Sequence, residues 1–277
     1  MRRKGLRKTL YHIVLWLVAI AFFLPVFWII LGALKTKDQL LAIPPKWLFA
    51  PSLANFVDLF TRPSITTYLI NSVIISLFAV AIAIVVSFLA AYCFSRYQPK
   101  ATNLIMFLLL SIRMVPSAAT VVAVYLMYVA FGWKDTWPGM ILFYAMFSIP
   151  FSVWILKGFI DGVSTRFDET GLVNGGSRFH VIFKVVLPQV RPGLVAAFIF
   201  NIIFVWNEFL FNYLIGGKRT TMVPVALSTW MYAQAGVDWI FVATLTTVYM
   251  IPLILAVFFF QKYLLTGMTF GTVRGEV

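Results

Sequence analysis

Residues 168–193 read DETGLVNGGSRFHVIFKVVLPQVRPG, a charged, glycine-punctuated stretch between two segments that are almost wholly apolar. Phe179, Ile182, Phe183, Val186 and Leu187 fall at i, i+3, i+4, i+7 and i+8, which is one stripe of a helix. Arg178, His180 and Lys184 lie off the stripe, so the helix has an apolar side and a cationic side. Ser164 is positioned to cap a preceding helix carrying Phe167, Asp168, Glu169 and Leu172. Gly175 and Gly176 permit a sharp turn between the two helices. Pro188 is expected to halt the second helix and Pro192 to start the next apolar segment. The pattern predicts a helix-turn-helix over 160–192. Two readings fit it: an amphipathic helix resting among lipid headgroups, or a docking element that presents Glu169 to a partner.

The surrounding chain sets the class. Of 277 residues, 62% are apolar and 11% charged, and the mean hydropathy is +0.94, whereas a soluble domain carries roughly a quarter charged residues. An all-α integral membrane protein is predicted. Stretches long enough to cross a hydrocarbon core of about 30 Å run over Leu10–Leu34, Tyr68–Phe94, Asn103–Phe131, Trp137–Phe159, Gly193–Ile215 and Phe241–Leu264. The first is longer than the apolar core of a signal peptide, and a retained helix is expected. The net charge of +13 reads as topology rather than nucleic-acid binding. With the N-terminus inside, fourteen Lys and Arg fall on the inner side and seven on the outer, the bias that cytoplasmic loops carry. Both termini and the insert are then cytoplasmic, and Trp47, Trp133, Trp137 and Trp239 fall near the outer boundary. The first outer loop, with Pro44, Pro45 and Pro51, is expected to be extended, with short helical turns at most.

Candidate chemistry is sparse. Cys93 is the sole cysteine, and His12 and His180 stand apart, an arrangement unsuited to a metal site. GGKRT at 216–220 is superficially like a phosphate-binding loop, but Asn212 stands where its first glycine is needed and Arg219 follows the lysine. Polar groups within spans face a bundle interior or a wet cavity. Asn201, Glu208 and Asn212 share one helical stripe at 100° per residue, with Asn207 pointing elsewhere, toward a neighbouring helix. The two amides fit either helix-to-helix glue or a solute path; Glu208 needs a partner or water. Trp206, Phe209 and Tyr213 offer ring faces suited to the C–H side of a solute. Arg113 fits three readings: a latch to Glu208, snorkelling to the headgroups, or contact with a charged solute. Pro116 is expected to loosen the third span and Pro224 to break the outer segment before the sixth.

The string Glu169-Thr170-Gly171, then Asn174-Gly175-Gly176-Ser177, with Leu187-Pro188 and Pro192-Gly193-Leu194 downstream, resembles the EAA loop of ABC importer permeases. Asn71-Ser72, Gly132-Trp133-Lys134-Asp135-Thr136, Pro150, Trp154 and Trp206-Asn207-Glu208-Phe209-Leu210 are similar to the maltose-permease-like branch, which carries carbohydrates. Thr170 and Gly171 depart from two alanines, and Asn174 from an aspartate. The glycine alone is expected to weaken its helix by about 1 kcal/mol. The resemblance implies a type I importer permease fold of six transmembrane helices: an N-terminal segment, first span and outer loop over 1–67, a core permease domain over 68–264, and a cytoplasmic tail over 265–277. It implies a second homologous permease subunit, two ATP-binding subunits, an extracytoplasmic solute-binding protein and a carbohydrate substrate in the cell's inner membrane, with no nucleic acid. No cofactor would be bound by this chain, since ATP and Mg would sit on the partner subunits. Asp168, Glu169, Thr170, Gly171, Asn174, Gly175 and Ser177 would couple to the ATPase; Arg113, Asn201, Trp206, Asn207, Glu208 and Asn212 would line the path. A secondary transporter would be expected to have more intramembrane acids and internal repeats, and a membrane enzyme would need clustered acid-base groups.

Overall fold

The computed structural model describes residues 2–231 and 236–269, and among them every regular element is helical. The helices are α1 (Arg2–Ala33), α2 (Lys37–Leu40), α3 (Ala54–Thr61), α4 (Ile65–Arg96), α5 (Thr102–Met114), α6 (Ser117–Ala130), α7 (Trp137–Asp161), α8 (Arg166–Val173) and α9 (Arg178–His180). A π-helical turn (Val181–Val186) follows, then α10 (Leu187–Gln189), α11 (Arg191–Trp206), α12 (Leu210–Ile215), α13 (Val223–Met231) and α14 (Trp239–Thr269). Four stretches are long and apolar enough to cross a bilayer alone: Lys8–Ala33, Ile65–Arg96, Trp137–Asp161 and Trp239–Tyr263. Two bent pairs, Thr102–Met114 with Ser117–Ala130 and Arg178–Gln189 with Arg191–Trp206, raise the number to as many as six if each pair is one span.

Two of the expected spans are not single straight helices. Over Asn103–Phe131 the helix breaks into α5 and α6 at 95°, because Pro116 has no N–H to give and forces Val115 into extended backbone at ψ 125°. The stretch expected as one helix over Gly193–Ile215 stops at Trp206 and resumes at Leu210. The insert joins α11 at a 75° bend, with Pro192 in the first turn of α11, where a missing N–H costs nothing. Pro224 opens α13 rather than breaking the segment. Residues 270–277 of the expected tail, Arg274 among them, lie outside the described residues.

The chain divides into two compact units, Met1–Thr66 with Ala226–Ile251, and Thr67–Val225 with Pro252–Val277. In the first, Asn55 Nδ2 donates to the carbonyls of Ala33 and Lys35, both at 2.8 Å, closing the end of α1. Lys35 is buried, its ammonium 5.2 Å from the Trp28 ring and 5.0 Å from the Phe49 ring, so a cation that sequence assigns to an outer loop packs as part of the fold. Arg62 pairs with Asp58 and Asp238 at 3.1 Å and lies over Phe241. The outer loop also holds more helix than expected, since α3 makes two full turns.

In the second unit α4 turns a stripe of small residues inward: Ser72, Ser76, Ala79, Ala83, Ser87, Ala91 and Ser95 are all buried. Lipid tails are as apolar as leucine, so helices in a bilayer associate where small side chains let backbones approach. Ser87 Oγ accordingly reaches the Ile149 carbonyl of α7 at 3.2 Å. At the start of α4, Asn71 Nδ2 donates to the carbonyls of Arg219 and Thr221, and Ser72 Oγ accepts from the Val223 N–H. Two apolar clusters follow, one around Ile75, Met140, Tyr144 and Ile215, the other around Phe88, Leu156, Phe159, Val181 and Val190. The second cluster seats the insert.

Candidate functional site

The insert is a bent elbow with an anchored inner side. On α8, Asp168 turns inward: its carboxylate accepts from Tyr92 Oη at 2.8 Å and from Arg96 Nε at 3.2 Å. Arg96 also donates to the Val163 carbonyl at 2.9 Å. Next to it, Ser95 Oγ donates to Asp161 at 2.6 Å, and Lys157 pairs with the same carboxylate at 2.8 Å. Arg178 reaches Tyr97 Oη at 2.7 Å. The end of α4 is thereby tied to α7, α8 and α9. The resemblance implies a partner-facing Asp168, whereas here its carboxylate is occupied within the chain. Glu169, one position on, is exposed.

Thr170, Gly171, Asn174, Gly175 and Ser177 rim a shallow hollow of about 570 Å³. Gly175 has φ +80°, which a side chain with a Cβ adopts only at a cost of about 1–2 kcal/mol. Ser177 Oγ caps α9 by accepting from the His180 N–H at 3.2 Å. The Ser164 hydroxyl only accepts from Arg166 N–H at 3.4 Å, and Thr165 occupies the cap position of α8.

Gly171 departs from alanine for a visible reason: a Cβ there would lie 2.9 Å from Val181 Cγ2. Val181 is buried and β-branched, so it cannot swing away. Gly171→Ala gains about 1 kcal/mol of helix propensity and loses about 1–3 kcal/mol to overpacking. Thermal unfolding of the purified chain is expected to show a net loss, and Gly171→Ala with Val181→Ala to recover it.

The second arm corrects the expected stripe. Helix does not stop at Pro188 but runs through it, with i+5 bonding over Val181–Val186 easing the proline ring past the preceding carbonyls. That wider turn moves the buried line to Val181, Val186 and Val190, and leaves Phe179 and Phe183 stacked on each other at 6.5 Å and exposed.

Within the spans, the break after Trp206 is organised by Glu208. Its carboxylate accepts from the N–H groups of Phe211 (3.0 Å) and Asn212 (3.2 Å), the open first turn of α12, and from Tyr144 Oη at 2.5 Å. A carboxylate has about four acceptor positions, so roughly one remains. Because the helix is interrupted here, the 100° rule does not carry from Asn201 to Glu208 and Asn212. Asn201 is fully buried and donates to Ser152 Oγ (2.8 Å) and the Ala197 carbonyl (2.7 Å). Asn212 donates to the Thr220 carbonyl and accepts from Met222 N–H. In this structure both amides hold elements together. Asn207 is exposed and bonds the Ile203 carbonyl of its own helix rather than a neighbour. Trp206 is buried, while Phe209 and Tyr213 stack at 5.6 Å on the exposed side. Arg113 does not latch to Glu208; its guanidinium lies 4.6 Å from the Phe204 ring, 5.1 Å from Phe147 and 5.3 Å from Phe151.

The loop carrying GGKRT is closed by the chain itself. Asp135, at φ 56°, accepts from the N–H groups of Arg219 and Thr220 at 3.0 Å and from Thr220 Oγ1 at 2.9 Å. The amides that a phosphate would need are engaged with a carboxylate.

Comparison with known proteins places these features together. Residues 83–269 match the model of a family described as binding-protein-dependent transport system inner membrane component. The trehalose transport system permease protein SugB of Mycobacterium tuberculosis is 32% identical over 98% of this chain and 100% of its own. The trehalose/maltose transport system permease protein MalG of Thermococcus litoralis is 28% identical over the full length of both. Among solved structures, a chain of a bacterial ABC transporter involved in the import of the acidic polysaccharide alginate superposes with TM-score 0.79, covering 95% of this chain and 98% of that one at 15% identity, a likeness of fold. With as many as six spans, a bent insert before α11 and a family match over most of its length, the chain belongs to the binding-protein-dependent transport system inner membrane components.

Proposed function

We propose that this chain is the permease subunit of an ATP-driven importer that moves a carbohydrate delivered by an extracytoplasmic solute-binding protein. It pairs with a second, related permease and rests on two ATP-binding subunits. Both termini and the elbow face the cytoplasm, as the distribution of basic residues favours. The observation that carries the reading is the two-sided insert: Asp168 bolted to Tyr92 and Arg96 within the fold, and Glu169 exposed at the next position beside the hollow rimmed by Thr170, Gly171, Asn174, Gly175 and Ser177. An interfacial helix that merely rests in headgroups needs no such anchor, whereas a lever does. Closure of the ATP-binding subunits would then tilt the spans as rigid bodies. The carbohydrate class is supported by relatives named for trehalose and maltose transport. Glu208, with Phe209 and Tyr213 stacked beside the break in the fifth span, would meet the solute, and Arg113, Trp206 and Asn207 would border its route. Asn201 and Asn212 would hold the route's shape.

Reconstitution of the complex in vesicles tests this with labelled neutral and acidic sugars. ATP-dependent uptake is expected, and Glu169→Gln should lower it while leaving binding-protein docking intact. Uptake driven by an ion gradient without nucleotide would overturn the reading.

A further inference from the structure

Arg113 stands eleven residues beyond the start of α5, about 17 Å along a helix that is otherwise almost wholly apolar. Phe147 is ten residues beyond the start of α7. The guanidinium faces three rings, Phe147, Phe151 and Phe204, and Phe147 and Phe204 are themselves stacked at 5.2 Å and 10°. Ring faces hold a guanidinium by its plane. A guanidinium has five N–H donors, and among the described residues no carboxylate or carbonyl accepts from those of Arg113. Glu208, the acid expected nearest, is committed to Tyr144 and the first turn of α12. Phe147 lies about one turn from Tyr144 on α7, whereas Glu208 stands beyond the end of α11, past the break that separates it from Phe204.

We propose that the carbohydrate passing through this subunit carries an oxyanion, a carboxylate, sulfonate or phosphate, and that Arg113 is the residue that reads it. The inference rests on the carbohydrate-importer reading given above. A neutral hydroxyl could accept one of the N–H bonds, but it would leave the guanidinium charge uncompensated in a medium of low dielectric. An oxyanion accepts two bonds in parallel, in the fork geometry specific to arginine, and hydrogen bonds between ionised groups are about twice as strong as neutral ones. The aromatic bed holds the guanidinium in place before the solute arrives.

The complete importer in proteoliposomes, supplied with its binding protein and ATP, separates the outcomes. The probes are a glucuronate-containing disaccharide, a sulfonated glycoside, a glycosyl phosphate and two neutral disaccharides. At least one acidic solute is expected to be taken up ten or more times faster than either neutral one. Arg113→Gln should remove most of that preference, and Arg113→Lys, which keeps the charge without the fork, should retain an intermediate share. ATP-dependent uptake of neutral sugars with no acidic solute transported overturns this inference and leaves the importer reading standing. A preference for acidic solutes that Arg113→Lys and Arg113→Gln both leave intact also overturns it. So does loss of complex assembly in Arg113→Gln with no solute preference in the wild type, since the counter-charge would then be a fixed acid on the neighbouring permease. Uptake of no carbohydrate of either kind removes both readings.

Discussion

Asp168→Ala is expected to lower the melting temperature of the purified subunit by roughly 10 °C and to abolish ATP-dependent uptake. The Arg96–Asp168 pair, at 3.2 Å, has both side chains about nine-tenths buried. Removing one partner of such a pair leaves an uncompensated charge and costs about 3–5 kcal/mol. Tyr92 Oη loses its acceptor in the same stroke, and α8 loses its tie to α4. An intact buried pair has a small net worth, because desolvation opposes the attraction. Arg96→Met combined with Asp168→Leu should therefore recover most of the lost stability. Uptake should return with it if the network serves only to hold the elbow rigid. An Asp168→Ala protein that melts with the wild type would exclude the anchor role.

Glu208→Leu is the second large effect. Its carboxylate is the acceptor for the Phe211 and Asn212 N–H groups, and both of those residues are buried. Each donor left without an acceptor costs about 1–3 kcal/mol. α12, at six residues, has little helical stability of its own. The turn is expected to unravel, taking with it the Asn212 bonds to Thr220 and Met222 that hold the return loop. Uptake should fall to background and the melting temperature should drop. Glu208→Gln keeps one acceptor oxygen and should lie between the two. Wild-type uptake by Glu208→Leu would show that neither the cap nor the carboxylate matters to transport.

The spans and the elbow were legible because apolar length and i, i+3, i+4 spacing survive in any helix that crosses lipid. What sequence missed lies where the helical period changes. The stripe ending at Leu187 assumed uniform α geometry, and the π turn over Val181–Val186 moved the buried line to Val181, Val186 and Val190. Asn201, Glu208 and Asn212 were aligned across a break that nothing in VWNEFL announces. The signal present was the acid itself, three residues before a backbone N–H in need of an acceptor. Asp168 and Glu169 are indistinguishable as letters. Their division into an inner and an outer carboxylate depends on which side of α8 faces Tyr92 and Arg96, a long-range fact. Gly171 read as a weakness until Val181 appeared opposite it.

The wide turn ahead of α10 also sets where the elbow aims. A stretch that switches between i+4 and i+5 bonding advances or retreats by one residue, and each residue of advance rotates everything beyond it by about 100° and shifts it by about 1.5 Å along the axis. The extra residue held in that stretch thus points the arm beyond it in a direction that a uniform α-helix would not give.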